Sequence, residues 1–138
     1  MQTKCLKSLK ITLGIIGTFH LLVGFLALIP FIPKTQLAAL VYKATFDPTH
    51  QFAHVGEMVG TYMFAIGFMA LLALKDPIKN EVVVKGVMVL LGLRLVSILI
   101  FSGQEYAVFG IPPFRYWLNF TAIAILLTSL IILRPKPE

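Results

Sequence analysis

The residues that could do chemistry are few, and they interrupt stretches that are otherwise apolar. His54, Glu57 and Thr61 stand three and four apart in HQFAHVGEMVGTYMFAIGFMALLAL, so a helix would put all three on one face. A carboxylate with a histidine one turn away can take up and return a proton. Arg94, with Ser97 one turn further on, interrupts the run VVVKGVMVLLGLRLVSILIF. Guanidinium matches carboxylate in bidentate geometry, so Glu57 and Arg94 are the expected ion pair. His20 and Asn119 each stand inside a further apolar run. The catalytic candidates are therefore Glu57 and His54, and the ligand-binding candidates are Arg94, Asn119, His20, Thr61 and Ser97. Such a set could move a proton on a lipid-soluble substrate, or hold the headgroup of a quinone, sterol or other isoprenoid by hydrogen bonds. A third reading is that the polar cluster only fixes the arrangement of the helices. A metal is not expected. His20, His54 and Glu57 offer at most three ligands without an H-E-x-x-H spacing. The lone Cys5 allows neither a thiolate cluster nor an internal disulfide. Beyond a quinone, no cofactor is suggested.

The elements that must position these groups follow from composition. Of the 138 residues, 58% are hydrophobic and 13% charged, with mean hydropathy +0.89; soluble domains have about a quarter of their residues charged. Four apolar runs carry the excess, at about 11–31, 52–74, 82–101 and 116–133. Each approaches the roughly 20 residues that cross a hydrocarbon core. In lipid the backbone must satisfy its own hydrogen bonds, so each run is expected to be a helix. No alternating pattern suggests a barrel strand. The expected fold is all-α, a four-transmembrane-helix bundle forming one domain over 1–138. The first run is longer than a signal-peptide core of about 7–15 residues and no A-x-A-like site follows it, so it is expected to remain as helix.

Basic residues set the orientation. Lys4, Lys7, Lys10, Lys75, Lys79, Lys85, Arg134 and Lys136 would share one side, against Lys34, Lys43 and Arg115 on the other. The positive-inside rule places both termini in the cytoplasm, and the net charge of +6 then reads as topology and attraction to anionic lipid. Nucleic acid is not an expected partner. Asp76-Pro77 should stop the second spanning helix in a tight turn, and Asp47-Pro48 should set its start near Thr49. In PKTQLAALVYKATFDPTHQ, Thr35 is a candidate N-cap. Leu37, Leu40, Val41 and Ala44 recur at helical spacing, which suggests a short helix on the outer surface. SGQEYAVFGIPPFRYW, rich in Gly, Pro and aromatics, reads as an interfacial loop.

Depth brings the polar residues together. At a rise of about 1.5 Å per residue, Glu57 lies roughly 8 Å below the level of Phe52, and Arg94 roughly 10 Å below that of Phe101. Asn119 is a little shallower and His20 lies near mid-membrane. Charges at such depth are costly unless paired, and they face a bundle interior or a wet cavity. Gly56 and Gly60 have the small-xxx-small spacing that lets helices approach closely. Gly14, Gly17 and Gly24 offer the matching groove on the first helix. GEMVGTYMFAIGFMALLALKDP and GVMVLLGLRLV together resemble the small four-helix membrane proteins grouped as DoxX-like. In that family the second helix opens with an acidic residue and glycines, here Glu57, Gly60 and Gly67, and polar residues recur later, here Arg94 and Asn119. The resemblance implies a four-helix membrane fold with a polar site, and a link to quinone-coupled oxidation. His20 departs from the pattern.

The function expected from the sequence is binding of an amphiphilic small molecule, a quinone or isoprenoid lipid, in a polar pocket in the outer half of the bundle. The protein would be a multi-pass component of a bacterial cytoplasmic membrane, alone, as a homo-oligomer or as the membrane subunit of a complex. The alternatives are a membrane-embedded isomerase or quinone-linked oxidoreductase using Glu57 and His54, and a purely structural subunit.

Overall fold

Five helices account for nearly all of the described chain: α1 (Gln2–Leu28), α2 (Lys34–Tyr42), α3 (His50–Lys75), α4 (Glu81–Phe109) and α5 (Pro113–Leu133). The computed structural model describes residues 2–29, 33–44 and 50–134, with the backbone alone for 2–4, 34–35, 42, 50–53 and 102–107. Four of the helices are long and apolar enough to cross a membrane: Cys5–Leu28, His54–Lys75, Glu81–Phe101 and Pro113–Leu133. Large apolar side chains such as Ile15, Phe25, Val89, Leu93, Ile100 and Ile132 point outward all around the bundle. Water would penalise that surface, whereas lipid accepts it. The chain has the build of a small multi-pass integral membrane protein.

The helices run antiparallel, and α1 is the centre of the assembly. It packs along α3 on one side and α5 on the other, while α4 joins α3 to α5. The seam between α1 and α3 is made by glycine, as the sequence suggests, because here the two backbones touch. A Cβ on Gly24 would lie 2.3 Å from the backbone N of Phe64, and one on Gly67 would lie 2.3 Å from that of Leu21. At Gly60 it would meet the Cβ of Ala27 at 2.6 Å. Without a hydrophobic force between helices in lipid, such close van der Waals contact drives association. The apolar core starts at the end of the bundle where α1 begins and α5 ends, with Leu9, Leu13, Ala73, Val84 and Leu130 buried, and continues along it through Ile16, Leu91, Ile98 and Ile123.

Local chemistry explains where the helices stop. Pro77 follows the end of α3, and a residue before proline disfavours helical backbone. Asp76 then ties the turn: its Oδ1 accepts from Lys79 N–H at 3.1 Å and its carbonyl accepts from Asn80 Nδ2 at 2.9 Å. Lys10 Nζ donates to the carbonyl of Lys75 at 3.0 Å, satisfying one of the acceptors that a helix C-terminus leaves open. Inside the spans, Thr12, Thr61 and Thr121 donate to the carbonyls four residues earlier, so these hydroxyls need no water.

Several expected boundaries are corrected. α1 begins at Gln2, a full two turns before the apolar run, because Lys4, Lys7 and Lys10 are compatible with helix beyond the span. The expected end of that run at Phe31 and the expected start of the second span around Asp47, Pro48 and Thr49 lie outside the described residues. The short helix between the first two spans forms, but its N-cap is Pro33 and not Thr35, with no side-chain capping bond. It closes at Lys43 in the left-handed region, φ 57°. SGQEYAVF is not a loop, since α4 continues through it to Phe109. The chain turns instead at Gly110, whose φ of 60° suits a residue without a Cβ. Pro113 then starts α5 at a position where its missing N–H costs nothing.

Candidate functional site

Further along the bundle, beside Ile16, Leu91 and Ile123 of the core, α1, α4 and α5 do not close on one another. They leave a cavity of about 310 Å³, with Val41 of α2 at its edge. Most of its lining is aliphatic or aromatic, including Ile15, Phe19, Leu118 and Leu126. Four polar side chains also line it: His20 from α1, Arg94 from α4, and Arg115 and Asn119 from α5. A second, smaller space of about 160 Å³ lies between α1, α3 and α4, and His20 and Arg94 line that one too. These two residues therefore sit where the two spaces meet.

His20 is held by its own helix. It is buried, and its Nδ1 donates to the carbonyl of Ile16 at 2.8 Å. A carbonyl can only accept, so Nδ1 carries the hydrogen and Nε2 is the ring atom left for other chemistry. The ring packs edge-on against Phe19, with centroids 5.5 Å apart. Arg94, Arg115 and Asn119 are half-buried. The first two turns of α5 are fixed to α4 by Tyr116, whose hydroxyl donates to the carbonyl of Ile98. The rings of Trp117 and Phe120 continue the aromatic chain outside the cavity, T-shaped to their neighbours.

The expected candidates thus divide. His20, Arg94 and Asn119 meet at one cavity. Glu57, His54, Thr61 and Ser97 are exposed and are not among the residues lining either space. Arg94 lines both spaces and Glu57 lines neither. Gly60, Gly67 and Ala70 face inward, and at about 100° per residue Glu57 lies about 60° round from Gly60 and about 140° from Ala70. What Glu57 shows is a backbone contact, its carbonyl accepting from Thr61 Oγ1 at 3.0 Å. The sequence reading missed Arg115, which it treated as an outer-loop charge. Its signal was available, because Arg115 precedes Asn119 by four residues and shares its helical face.

The arrangement suits recognition of a polar group attached to an apolar body. Arginine supplies a planar fork of donors, asparagine supplies both donor and acceptor, and histidine supplies a second ring nitrogen, Nε2. Among the described residues, no three His, Cys, Asp or Glu side chains come together as metal ligands would. No family model, curated protein or solved structure matches the chain.

Proposed function

We propose that this protein is a small multi-pass membrane protein that binds the headgroup of an amphiphilic molecule between α1, α4 and α5, with His20, Arg94 and Asn119 as the recognising groups. The quinone and isoprenoid-lipid classes both fit a polar head on an apolar body. One observation carries the reading: three spanning helices contribute polar side chains, His20, Arg94, Arg115 and Asn119, to a single cavity whose walls are otherwise apolar. Pockets that hold small molecules have this composition, mostly apolar with a few placed polar groups. The volume of about 310 Å³ is at the lower end of the usual range of about 300–1,000 Å³. A headgroup and the first part of its chain would fill it, and the remainder would lie in the bilayer. Polar groups inside a span are costly, so their presence there points to a functional site. The excess of basic residues at the end carrying both termini supports a cytoplasmic placement of that end.

The test is solvent extraction of the protein purified in mild detergent, with mass spectrometry of what is released. Wild type is expected to carry one enriched amphiphile at near-equimolar amount. Ala122→Phe, which fills the cavity from α5, is expected to lose it while keeping its helical content. Equal recovery from both proteins would refute the reading.

A further inference from the structure

The outward face of α3 is built differently from that of α4. On α4 the exposed side chains Val82, Val89, Leu93, Val96 and Ile100 form a wholly apolar stripe, which lipid covers without penalty. On α3 the exposed residues His54, Met58, Thr61, Ala65, Phe68 and Leu72 recur at alternating steps of four and three. That is the heptad spacing of a contact between two helices. At about 100° per residue the stripe lies roughly opposite Gly67 and Ala70, which are buried inside the bundle. Thr61 and Ala65 place two small residues four apart at its centre, the spacing at which helices approach closely in lipid. Glu57 and Tyr62, both exposed, flank the stripe on its two sides, about 60° and 80° round from its midline. Glu57 lies inside the span His54–Lys75, and a carboxylate on the outside of a span is costly in lipid.

We propose that a second copy of this chain docks on this face, α3 against α3, with the Glu57 carboxylate of each copy accepting a hydrogen bond from the Tyr62 hydroxyl of the other. Two copies inserted with the same topology present α3 in parallel about a two-fold axis. In a parallel heptad pair, position g of one helix faces position e of the next heptad on the other. With Met58 and Ala65 at a, and Thr61 and Phe68 at d, Glu57 is that g and Tyr62 is that e. The pair forms twice by symmetry, and His54 and Thr61 add side chains of the kind that hydrogen-bond between helices in lipid. An unrelated helix would need a donor at the same depth; a second copy carries it in its own sequence. Because α3 meets α1 through Gly60 and Gly67, docking asks for no rearrangement of the bundle.

The experiment is disulfide cross-linking in membranes of expressing cells, in a Cys5→Ser background. Thr61→Cys, Ala65→Cys and Leu72→Cys are expected to give a species of twice the chain's mass. Val59→Cys on α3 and Leu93→Cys on α4, at positions that are also exposed, are not. Affinity is then read from energy transfer between copies labelled at the exposed Cys5, in liposomes of falling protein density. Tyr62→Phe and Glu57→Leu should each weaken the dimer about tenfold, since two interhelical hydrogen bonds are lost per dimer. Both side chains point away from the core, so helical content should be unchanged. The double exchange should be no weaker than Glu57→Leu alone, as coupled partners require.

Cross-linking at Val59 or Leu93 as efficient as at Ala65 would refute the α3 contact, and so would no cross-linking at any of the stripe positions. A cross-linked species of another mass would give this face to a different protein and refute the second copy. Additive losses in the double exchange would refute the pairing of Glu57 with Tyr62.

Discussion

Replacing Gly67 by alanine adds one methyl group at one of the two tightest points found between α1 and α3. The new Cβ would stand 2.3 Å from the backbone N and 2.8 Å from the Cα of Leu21, where ordinary contact begins near 3.4 Å. Neither atom can rotate away, because both belong to the helix backbone. The two helices must therefore part by about 1 Å near this point. A gap of 0.5–1 Å forfeits a quarter to a half of the dispersion well for each contact it opens, and overpacking of a fitted interior costs about 1–3 kcal/mol. Gly67→Ala is expected to fall at the upper end, about 3 kcal/mol, and Gly24→Ala to match it because its Cβ would also meet backbone at 2.3 Å. Gly60→Ala should cost less, since it meets the methyl group of Ala27. Gly86→Ala is the control, as nothing lies within 4 Å of its Cβ. It should be neutral or gain up to about 1 kcal/mol from helix propensity. Unfolding in mixed micelles of rising SDS fraction, followed by circular dichroism, gives the comparison. If Gly67→Ala and Gly86→Ala unfold together, the glycine seam does not hold α1 to α3.

Tyr116→Phe removes the tie from α5 to the carbonyl of Ile98; a loss of about 1 kcal/mol is expected in the same titration, and no loss would mean that the bond is not formed. Lys10→Met removes the bond to the Lys75 carbonyl at an exposed site, so less than about 1 kcal/mol should be lost, and a larger fall would show that this contact closes α3. Glu57→Gln, on an exposed face of α3, should leave the amount of co-purified ligand unchanged within twofold, whereas Asn119→Leu should lower it about tenfold, roughly 1.4 kcal/mol. A reversed order of those two variants would move the site from α5 to α3.

Depth along a helix is legible in a sequence of this kind, and direction is not. The four spans, the Asp76-Pro77 turn and the short helix between the first two spans all follow from apolar length and helix-breaking residues. So does the glycine contact between these two helices, although the glycines that meet there, Gly17 and Gly24 against Gly60 and Gly67, are seven apart and not at the i and i+4 spacing of Gly56 and Gly60. The Glu57–Arg94 pairing rested on depth alone. The azimuth of α3 is decided by Gly60 and Gly67, since only that face can meet α1 at backbone distance, and Glu57 has no vote against it. The extension of α4 through Gly103 had a related cause. One glycine costs a helix only about 1 kcal/mol, less than leaving backbone groups unbonded near lipid. Arg115 was hidden by its position two residues after Pro113, where a charge reads as loop.

The glycine seam also decides where this molecule is stiff. Between α1 and α3, at Gly24 and Gly67, backbone meets backbone and no side chain is there to yield. Around α4 the fit is looser: a Cβ on Gly92 would first meet the end of Leu127 at 4.0 Å, and one on Gly86 would meet nothing. The bundle therefore resembles a rigid plate, α1 with α3, against which α4 and α5 lean through deformable side chains. The cavity lies along the line where the two meet, with His20 on the plate and Arg94, Arg115 and Asn119 on the leaning pair. A change in its width would alter the spacing between His20 and those three residues. The antiparallel register set by Gly17, Gly24, Gly60 and Gly67 would not have to change.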